Sequence, residues 1–285
     1  MRYLDLPGGS SIPSLGLGTW RMGEAAGHRK AEVSAVRAAI DMGYRLIDTA
    51  EMYGEGGAEE LVGQAVADAI RAGDVRREDL FIVSKVYPHN ASRKGTSAAC
   101  ARSLARLGLD RIDLYLLHWR GEHPLAETCD ALRTLAAQGR IRHWGVSNFD
   151  TDDMEELADA GGDAADCAVN QVYFSAGERG AEFSLLPWLR KRGMPMMAYS
   201  PIDQGSLATD AGLLKIAQRL DVTAAQVALA WVLSRPTVVA IPKAVREAHL
   251  RENLAAADLE LSAADLAEID SLHPPPRRKS PLAMI

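Results

Sequence analysis

Four residues of this chain have the side chains that reduction of a carbonyl group requires: Asp48, Tyr53, Lys85 and His118. A tyrosine hydroxyl can donate a proton to a developing alkoxide, and a neighbouring ammonium group favours the phenolate and lowers the tyrosine pKa. A carboxylate keeps that ammonium charged and in place, and an imidazole can bind the carbonyl oxygen. Because no side chain donates hydride, this chemistry also requires a cofactor.

Three of the four residues end short apolar segments that are typical of β-strands, and Tyr53 follows Asp48 by five residues. Eight such segments recur along the chain, at residues 15–20, 46–48, 80–85, 112–118, 141–147, 168–171, 196–199 and 238–241. Segments with helical periodicity or capping patterns separate them. These predicted helices cover residues 31–42, 59–71, 95–107, 125–138, 151–160, 185–192, 223–234 and 248–257, with two extra helices at 212–220 and 262–272.

The alternation of eight strands with helices predicts an α/β fold, a (β/α)8 TIM barrel with right-handed crossovers. A turn-rich segment at 3–11 predicts an N-terminal β-hairpin, and we interpret residues 1–285 as a single domain. Polar groups at the C-terminal ends of barrel strands meet at one mouth. The alternative is a doubly wound sheet, but its G-x-G-x-x-G turn lacks the third glycine in residues 15–20.

Composition narrows the functional classes. The chain has 285 residues, 47% of them hydrophobic, and a formal net charge of -6, which disfavours nucleic-acid binding. Its three cysteines show neither metal-ligand spacing nor a paired pattern, so we expect no metal site and a reducing compartment. We find no signal peptide and no apolar run long enough to cross a membrane. We therefore expect a cytoplasmic protein. We also expect a monomer, because no dimer element is evident, and a small-molecule carbonyl substrate as its partner, from the four residues above.

The segments around the four residues resemble the motifs of the aldo-keto reductases. Residues 43–50, Gly-Tyr-Arg-Leu-Ile-Asp-Thr-Ala, are similar to the first family signature, and Tyr53, Lys85 and His118 match the rest of its catalytic tetrad. The longer loop at 54–57 resembles the bacterial, methylglyoxal-reductase-like branch. The resemblance covers essentially the whole chain. It implies NADPH-dependent reduction of small aldehydes and ketones, of methylglyoxal type or aromatic, with Tyr53 as general acid.

The resemblance also implies where NADP(H), or alternatively NAD(H), binds without a Rossmann domain. The implied cofactor-binding residues are Ser147, Asn148, Gln171, Tyr199, Ser200, Ser206, Leu207, Ile241, Lys243, Arg246, His249, Glu252 and Asn253. Lys243 is the implied partner of the 2′-phosphate. Ala244 and His249 depart from the Ser and Arg that the family often has there, while Arg246 and Arg251 can restore positive charge. We predict an NADP(H) preference.

The implied substrate pocket is an aromatic, largely apolar cup formed by Trp20, Met52, Tyr87, Trp119 and Phe149. Its neighbours Arg120 and His123 are candidates for attracting a substrate carboxylate, although we favour solvated loop positions for both. One alternative function is a cofactor-binding regulatory subunit on the same fold. Another is a barrel lyase that forms a Schiff base on Lys85, which leaves the cofactor-like segments unexplained.

Overall fold

The computed structural model describes residues 2–160 and 166–285, which form ten strands and ten α-helices. The strands are β1 (Tyr3–Asp5), β2 (Ser11–Pro13), β3 (Leu17–Gly18), β4 (Leu46–Asp48), β5 (Phe81–Val86), β6 (Ile112–Leu117), β7 (Ile141–Ser147), β8 (Cys167–Tyr173), β9 (Met196–Tyr199) and β10 (Val238–Ala240). The helices are α1 (Arg29–Met42), α2 (Gly57–Ala72), α3 (Arg93–Leu107), α4 (Leu125–Ala137), α5 (Thr151–Ala160), α6 (Leu185–Lys191), α7 (Ala211–Leu220), α8 (Ala224–Leu233), α9 (Glu247–Ala256) and α10 (Ala263–Leu272).

Strands β3 to β10 form one parallel sheet in which each strand pairs with its neighbour in sequence. Parallel bridges from Leu15 to Ala240 and from Gly18 to Lys243 join the first of these strands to the last. The Gly16 amide also donates to the Ala240 carbonyl at 2.9 Å. These contacts close the sheet, and the predicted (β/α)8 barrel is confirmed.

Successive side chains along each strand point to opposite faces of the sheet, and this divides the apolar core into two parts. Inward-facing residues such as Leu46, Val83 and Leu116 form a cluster inside the barrel, whereas their sequence neighbours face the helices. Leu6 and Ile12, from the antiparallel hairpin β1–β2, belong to the inner cluster. The predicted N-terminal hairpin is therefore present, and it packs against the barrel interior.

Local signals fix several of the helix ends. Gly43 ends α1 with a φ of 105°, a left-handed conformation that a glycine adopts without strain. Thr223 and Ser262 form capping boxes at the starts of α8 and α10. The largest departure from prediction is the first barrel strand. The sequence predicts a strand at 15–20, whereas regular pairing covers Leu17 and Gly18, and the contacts with the last strand are isolated bridges. No helix in the described ranges is long and apolar enough to span a membrane.

Candidate active site

Three polar side chains reach the barrel mouth because they continue the inward-facing rows of their strands. Asp48 follows Leu46 on β4, Lys85 follows Val83 on β5, and His118 comes directly after β6 in the row of Leu116. All three are nearly inaccessible, with relative exposures of 2%, 0% and 7%. Neighbouring strands therefore bring the three groups together at one end of the barrel, as the sequence pattern predicted.

Lys85 is the centre of a buried hydrogen-bond network. Its ammonium donates to Asp48 Oδ2 at 2.7 Å and to the Thr49 carbonyl at 2.9 Å. A third bond, of 3.2 Å, runs to the Tyr53 hydroxyl. An ammonium has three donors and no acceptor, so Tyr53 must be the acceptor in this bond. The hydroxyl proton of Tyr53 is therefore left free to point into the cavity.

The direction of the Tyr53 pKa shift differs from the sequence-based expectation. Burial, followed by the carboxylate charge of Asp48, raises the pKa of Tyr53 well above its usual value of 10.0. The reason is that the charge of Lys85 is compensated by Asp48 at 2.7 Å, so the pair offers little net attraction to a phenolate. Tyr53 consequently keeps its proton at neutral pH, as a proton donor must.

His118 is held as a neutral imidazole. Burial, followed by the positive charge of Lys85, lowers the pKa of His118 well below its usual value of 6.5. Its Nδ1 atom is buried and has no hydrogen-bond partner in the described parts of the chain, which leaves Nε2 as the nitrogen available to the cavity. The Tyr53 and His118 rings meet edge to face with centroids 5.8 Å apart. A carbonyl oxygen placed between them can accept hydrogen bonds from both.

The low pKa of His118 predicts acid sensitivity. Below about pH 6.5 the unfolded chain protonates this imidazole while the folded chain does not, so unfolding takes up a proton. The free energy of unfolding should then fall by up to about 1.4 kcal/mol per pH unit, until the lower folded-state pKa is reached. Urea denaturation at pH 7.5 and 5.5 should show that wild type loses about 1 kcal/mol more than His118→Gln. Equal losses would contradict this assignment.

Two amide side chains hydrogen-bond the groups beside Tyr53: Gln171 bonds Asp48, and Asn148 bonds Tyr199. Gln171 Nε2 donates to Asp48 Oδ1 at 2.8 Å, so both oxygens of this carboxylate are fixed. Asn148 donates to the His118 carbonyl at 3.2 Å and accepts from the Tyr199 hydroxyl at 2.8 Å. Tyr199 also stacks on Tyr173, with centroids 5.7 Å apart and an interplanar angle of 18°. These contacts hold two amides and one aromatic ring beside the catalytic candidates.

A cavity of about 660 Å³ begins at these residues and continues across the barrel mouth. One end is lined by Asp48, Tyr53, His118 and amide side chains, and the other by Lys243 and residues of α9. Ten of the thirteen implied cofactor-binding residues line it: Ser147, Asn148, Gln171, Tyr199, Ser200, Ile241, Lys243, His249, Glu252 and Asn253. Amides at one end and a cation at the other match the carboxamide and phosphate ends of NADP(H), so the donor set fits this cofactor.

Backbone strain is concentrated along the same cavity. Among the described non-glycine residues, seven have a positive φ, and four of them line the cavity: Arg21, Asn148, Ser200 and Gln204. Such conformations persist only where the surrounding structure enforces them, and they cluster at functional sites. The run from Ser200 to Gly205 is the clearest case, since Asp203, Gln204 and Gly205 follow one another in left-handed conformations. This run lines the cavity through Ser200, Gln204 and Gly205.

Five of the implied cofactor and substrate residues do not line the cavity. Phe149 is fully buried among the residues that face the helices, because the chain has turned outward after Asn148. Tyr87 contacts Trp119 edge-on at 5.8 Å and lies behind it. The other three are Ser206, Leu207 and Arg246. Leu207 is buried in the core, whereas Arg246 donates to His249 Nε2 at 2.8 Å and so reaches the cavity only through a residue that lines it.

The cavity also has walls that the sequence reasoning did not include. Arg21, Thr223, Met284 and Ile285 all line it. The chain end is guided there by Lys279, which lies 2.7 Å from Asp152. No local pattern marks such a contact, since the partners are more than a hundred residues apart. The C-terminal tail, for which the sequence predicts neither helix nor strand, thus closes one side of the cup.

Two alternatives that the sequence left open can be weighed against this geometry. Lys85 has no exposed surface and does not line the cavity, and its three donors are all engaged, which disfavours a Schiff-base nucleophile. Arg120 is paired with Glu156 at 2.9 Å, so it is not an open site for a substrate carboxylate.

Comparison with known proteins gives consistent matches over nearly the whole chain. The model of the Aldo/keto reductase family matches residues 14–274. The chain is 48% identical to methylglyoxal reductase YeaE of Escherichia coli over 290 residues, which cover 100% of this chain and 99% of that protein. It is 39% identical to the glyoxal reductase of Bacillus subtilis, over 95% of this chain and 92% of that protein.

Solved structures agree with the sequence matches. An aldo/keto reductase from Klebsiella pneumoniae, in complex with NADP and acetate, superposes with a TM-score of 0.93 at 45% identity. The match covers 99% of each chain. A protein that matches this chain over nearly its whole length has therefore been solved in complex with NADP.

Proposed function

Because this chain belongs to the aldo/keto reductase family, we propose that it reduces small aldehydes and ketones to alcohols with NADPH, with 2-oxoaldehydes such as methylglyoxal as its preferred class. The observation that carries the proposal is the Lys85–Tyr53 hydrogen bond of 3.2 Å. It lies beside a cavity whose far end is lined by the positively charged side chain of Lys243. A reductase is favoured over a regulatory subunit because the proton-donating group and the cofactor cavity are joined in one site.

The chain's own residues supply everything except the hydride, which the nicotinamide provides when the cofactor is bound. His118 and Tyr53 hydrogen-bond the substrate oxygen and orient the carbonyl carbon. Tyr53 gives its proton to the oxygen as negative charge develops there. Lys85 stabilises the phenolate that remains by donating to it, and Asp48 holds Lys85 in place. The buried surroundings strengthen these interactions because little water competes for them.

The lining of the cup supports carbonyl substrates with modest apolar groups. Trp20, Met52 and Trp119 line the cavity beside Tyr53 and His118, giving an apolar wall with two polar groups at one end. The two relatives named for their substrates act on methylglyoxal and glyoxal. We also infer a monomeric, cytoplasmic enzyme, because one chain supplies the site residues named above and its three cysteines are unpaired and buried.

A substrate panel tests the proposal directly. Oxidation of NADPH is followed by absorbance with methylglyoxal, glyoxal, a nitrobenzaldehyde and a simple ketone. We expect turnover with the aldehydes and the highest kcat/KM with methylglyoxal. A protein that binds NADPH but turns over none of these compounds would instead support the regulatory-subunit alternative. Borohydride trapping of substrate on Lys85 would support the lyase.

Lys243→Met should distinguish the two nicotinamide cofactors. Lys243 lines the end of the cavity near α9, where Arg246 and His249 add polar groups. Loss of a charge-assisted contact with the 2′-phosphate should weaken NADPH binding by about 10- to 100-fold, and NADH binding hardly at all. Fluorescence titration with both cofactors measures this, with the exposed Lys215→Met as a matched control. Equal kcat/KM for NADH and NADPH in wild type would refute the NADP(H) preference.

A further inference from the structure

The backbone that follows Tyr53 is unusual and needs support. Gly54, Glu55 and Gly56 have consecutive positive φ values of 57°, 52° and 94°. Glycine tolerates this conformation, so Gly54 and Gly56 adopt it at little cost, whereas Glu55 has a Cβ atom and is strained. Three left-handed residues in a row do not form a regular element, so the direction in which Tyr53 points depends on what packs against this turn.

An ion pair between the partly buried Arg106 and the fully buried Glu59 packs against the turn. The Arg106 side chain, from α3, lies so close to Gly56 that a Cβ there would be 2.5 Å from its Nε atom. The same Nε donates to Glu59 Oε2 at 2.6 Å. Glu59 lies in the first turn of α2, six residues after Tyr53, and has no exposed surface. Arg106 thus holds both the left-handed turn and the helix that begins after it.

The other oxygen of Glu59 reaches the strand that carries Lys85. Ser84 Oγ donates to Glu59 Oε1 at 2.5 Å. Because side chains alternate along β5, Ser84 faces the helices while the adjacent Lys85 faces the barrel. One buried carboxylate therefore links the segment of Tyr53 to the strand of Lys85. Burial lowers the pKa of the Lys85 ammonium, and the negative charge of Glu59 opposes that shift together with Asp48.

From these contacts we propose that Glu59 and Arg106 are positioning residues for the reaction: they hold the Tyr53 hydroxyl at hydrogen-bond distance from the Lys85 ammonium. This rests on the proposed function of the site. Neither residue touches substrate or cofactor, since neither lines the cavity. Both act through the turn at 54–56 and through Ser84. The loop at 54–57, in which the chain resembles the bacterial branch of the family, is thereby tied to the reacting centre.

The main test is Glu59→Gln, which keeps the shape of the side chain and removes its charge. We expect kcat with methylglyoxal to fall by about 10- to 100-fold, because small misplacements of a reacting group cost rates of this order. NADPH affinity should stay within about twofold. The alkaline limb of the kcat/KM profile should move to lower pH, since Lys85 loses a charge that stabilises its protonated form. Arg106→Met should show the same losses, and Arg106→Lys should partly restore kcat.

Asp113→Asn is the matched control. Asp113, on β6, is also a buried carboxylate, and it is paired with Arg77 at 2.7 Å. It accepts from the Ile82 amide of β5, the strand that carries Lys85. It lies nearer the opposite end of β5, away from Lys85. This variant should lower Tm to a degree similar to Glu59→Gln while keeping kcat and the alkaline limb of wild type. If Glu59→Gln and Asp113→Asn have equal effects on kcat and on the pH profile, the role of Glu59 is purely structural and the proposal is overturned.

A crystal structure of Glu59→Gln provides a readout that does not depend on turnover. The expected Lys85 Nζ–Tyr53 Oη distance is longer than about 3.5 Å, the limit for a hydrogen bond. An unchanged distance together with unchanged kcat would overturn the positioning role even if wild type is an active reductase. Wild type that reduces no carbonyl compound would refute the proposed function instead, while the distance would still decide whether Glu59 positions Tyr53.

Discussion

Tyr53→Phe is expected to lower kcat for aldehyde reduction by about 10³- to 10⁴-fold, which is the upper range for loss of a general acid. The ring remains, so the edge-to-face contact with His118 and the packing of the turn at 54–56 should remain too. What disappears is the hydroxyl that accepts a hydrogen bond from Lys85 and can also give a proton to the substrate oxygen. NADPH binding should stay within about twofold, because the donor set that fits the cofactor is intact.

Tyr87→Phe is the matched control for this experiment. Tyr87 is a nearby aromatic residue that lies behind Trp119 and does not line the cavity. Its loss of a hydroxyl should leave kcat within a few-fold of wild type. Near-normal turnover in Tyr53→Phe would show that another group donates the proton. A large loss of NADPH affinity in the same variant would show that Tyr53 serves cofactor binding rather than proton transfer.

Strand alternation explains why so much of the site could be predicted from sequence. Asp48, Lys85 and His118 each end an apolar segment, and parallel strands in a barrel have their C-terminal ends on one side. Once the segments are interpreted as neighbouring strands, their ends must meet. Helix boundaries were equally accessible because caps such as Thr223 and Ser262 are local signals.

The parts that sequence reasoning missed depend on long-range contacts. Met284 and Ile285 reach the cavity because the tail is tied to the start of α5 through Lys279 and Asp152. The family resemblance places Phe149 in the cup, but the left-handed φ of 59° at Asn148 redirects the chain and Phe149 enters the core. A single backbone angle of this kind has no signature in the amino-acid types around it.

The pKa of Tyr53 shows a second limit of prediction from sequence, which concerns charge rather than chain path. A lysine beside a tyrosine predicts a lowered tyrosine pKa when only the pair is considered. In the structure Asp48 is 2.7 Å from the same lysine and Tyr53 is buried, and the pKa rises instead. The useful property of Lys85 is therefore its directed hydrogen bond. In the proposed mechanism this bond stabilises the phenolate only as the proton leaves, which is stabilisation of the transition state rather than of the resting enzyme.

Lys85→Met tests that conclusion and should have two separable effects. Methionine has a similar length and no charge, so Asp48 is left as a buried carboxylate with Gln171 as its remaining side-chain donor. Breaking a buried ion pair in this way should lower the free energy of unfolding by about 3–5 kcal/mol. The kcat should also fall by about 10²-fold or more, because the phenolate formed on Tyr53 has lost its hydrogen-bond donor.

The double variant Asp48→Asn/Lys85→Met separates stability from catalysis. Without either charge there is no unpaired carboxylate, so most of the lost free energy of unfolding should return, as measured by urea denaturation. The kcat should not return, because no cation faces the Tyr53 hydroxyl in either variant. Recovery of kcat together with stability would mean that Lys85 acts only by neutralising Asp48. Persistent loss of kcat in a stable protein, with unchanged NADPH affinity, would place the role of Lys85 at the proton-transfer step itself.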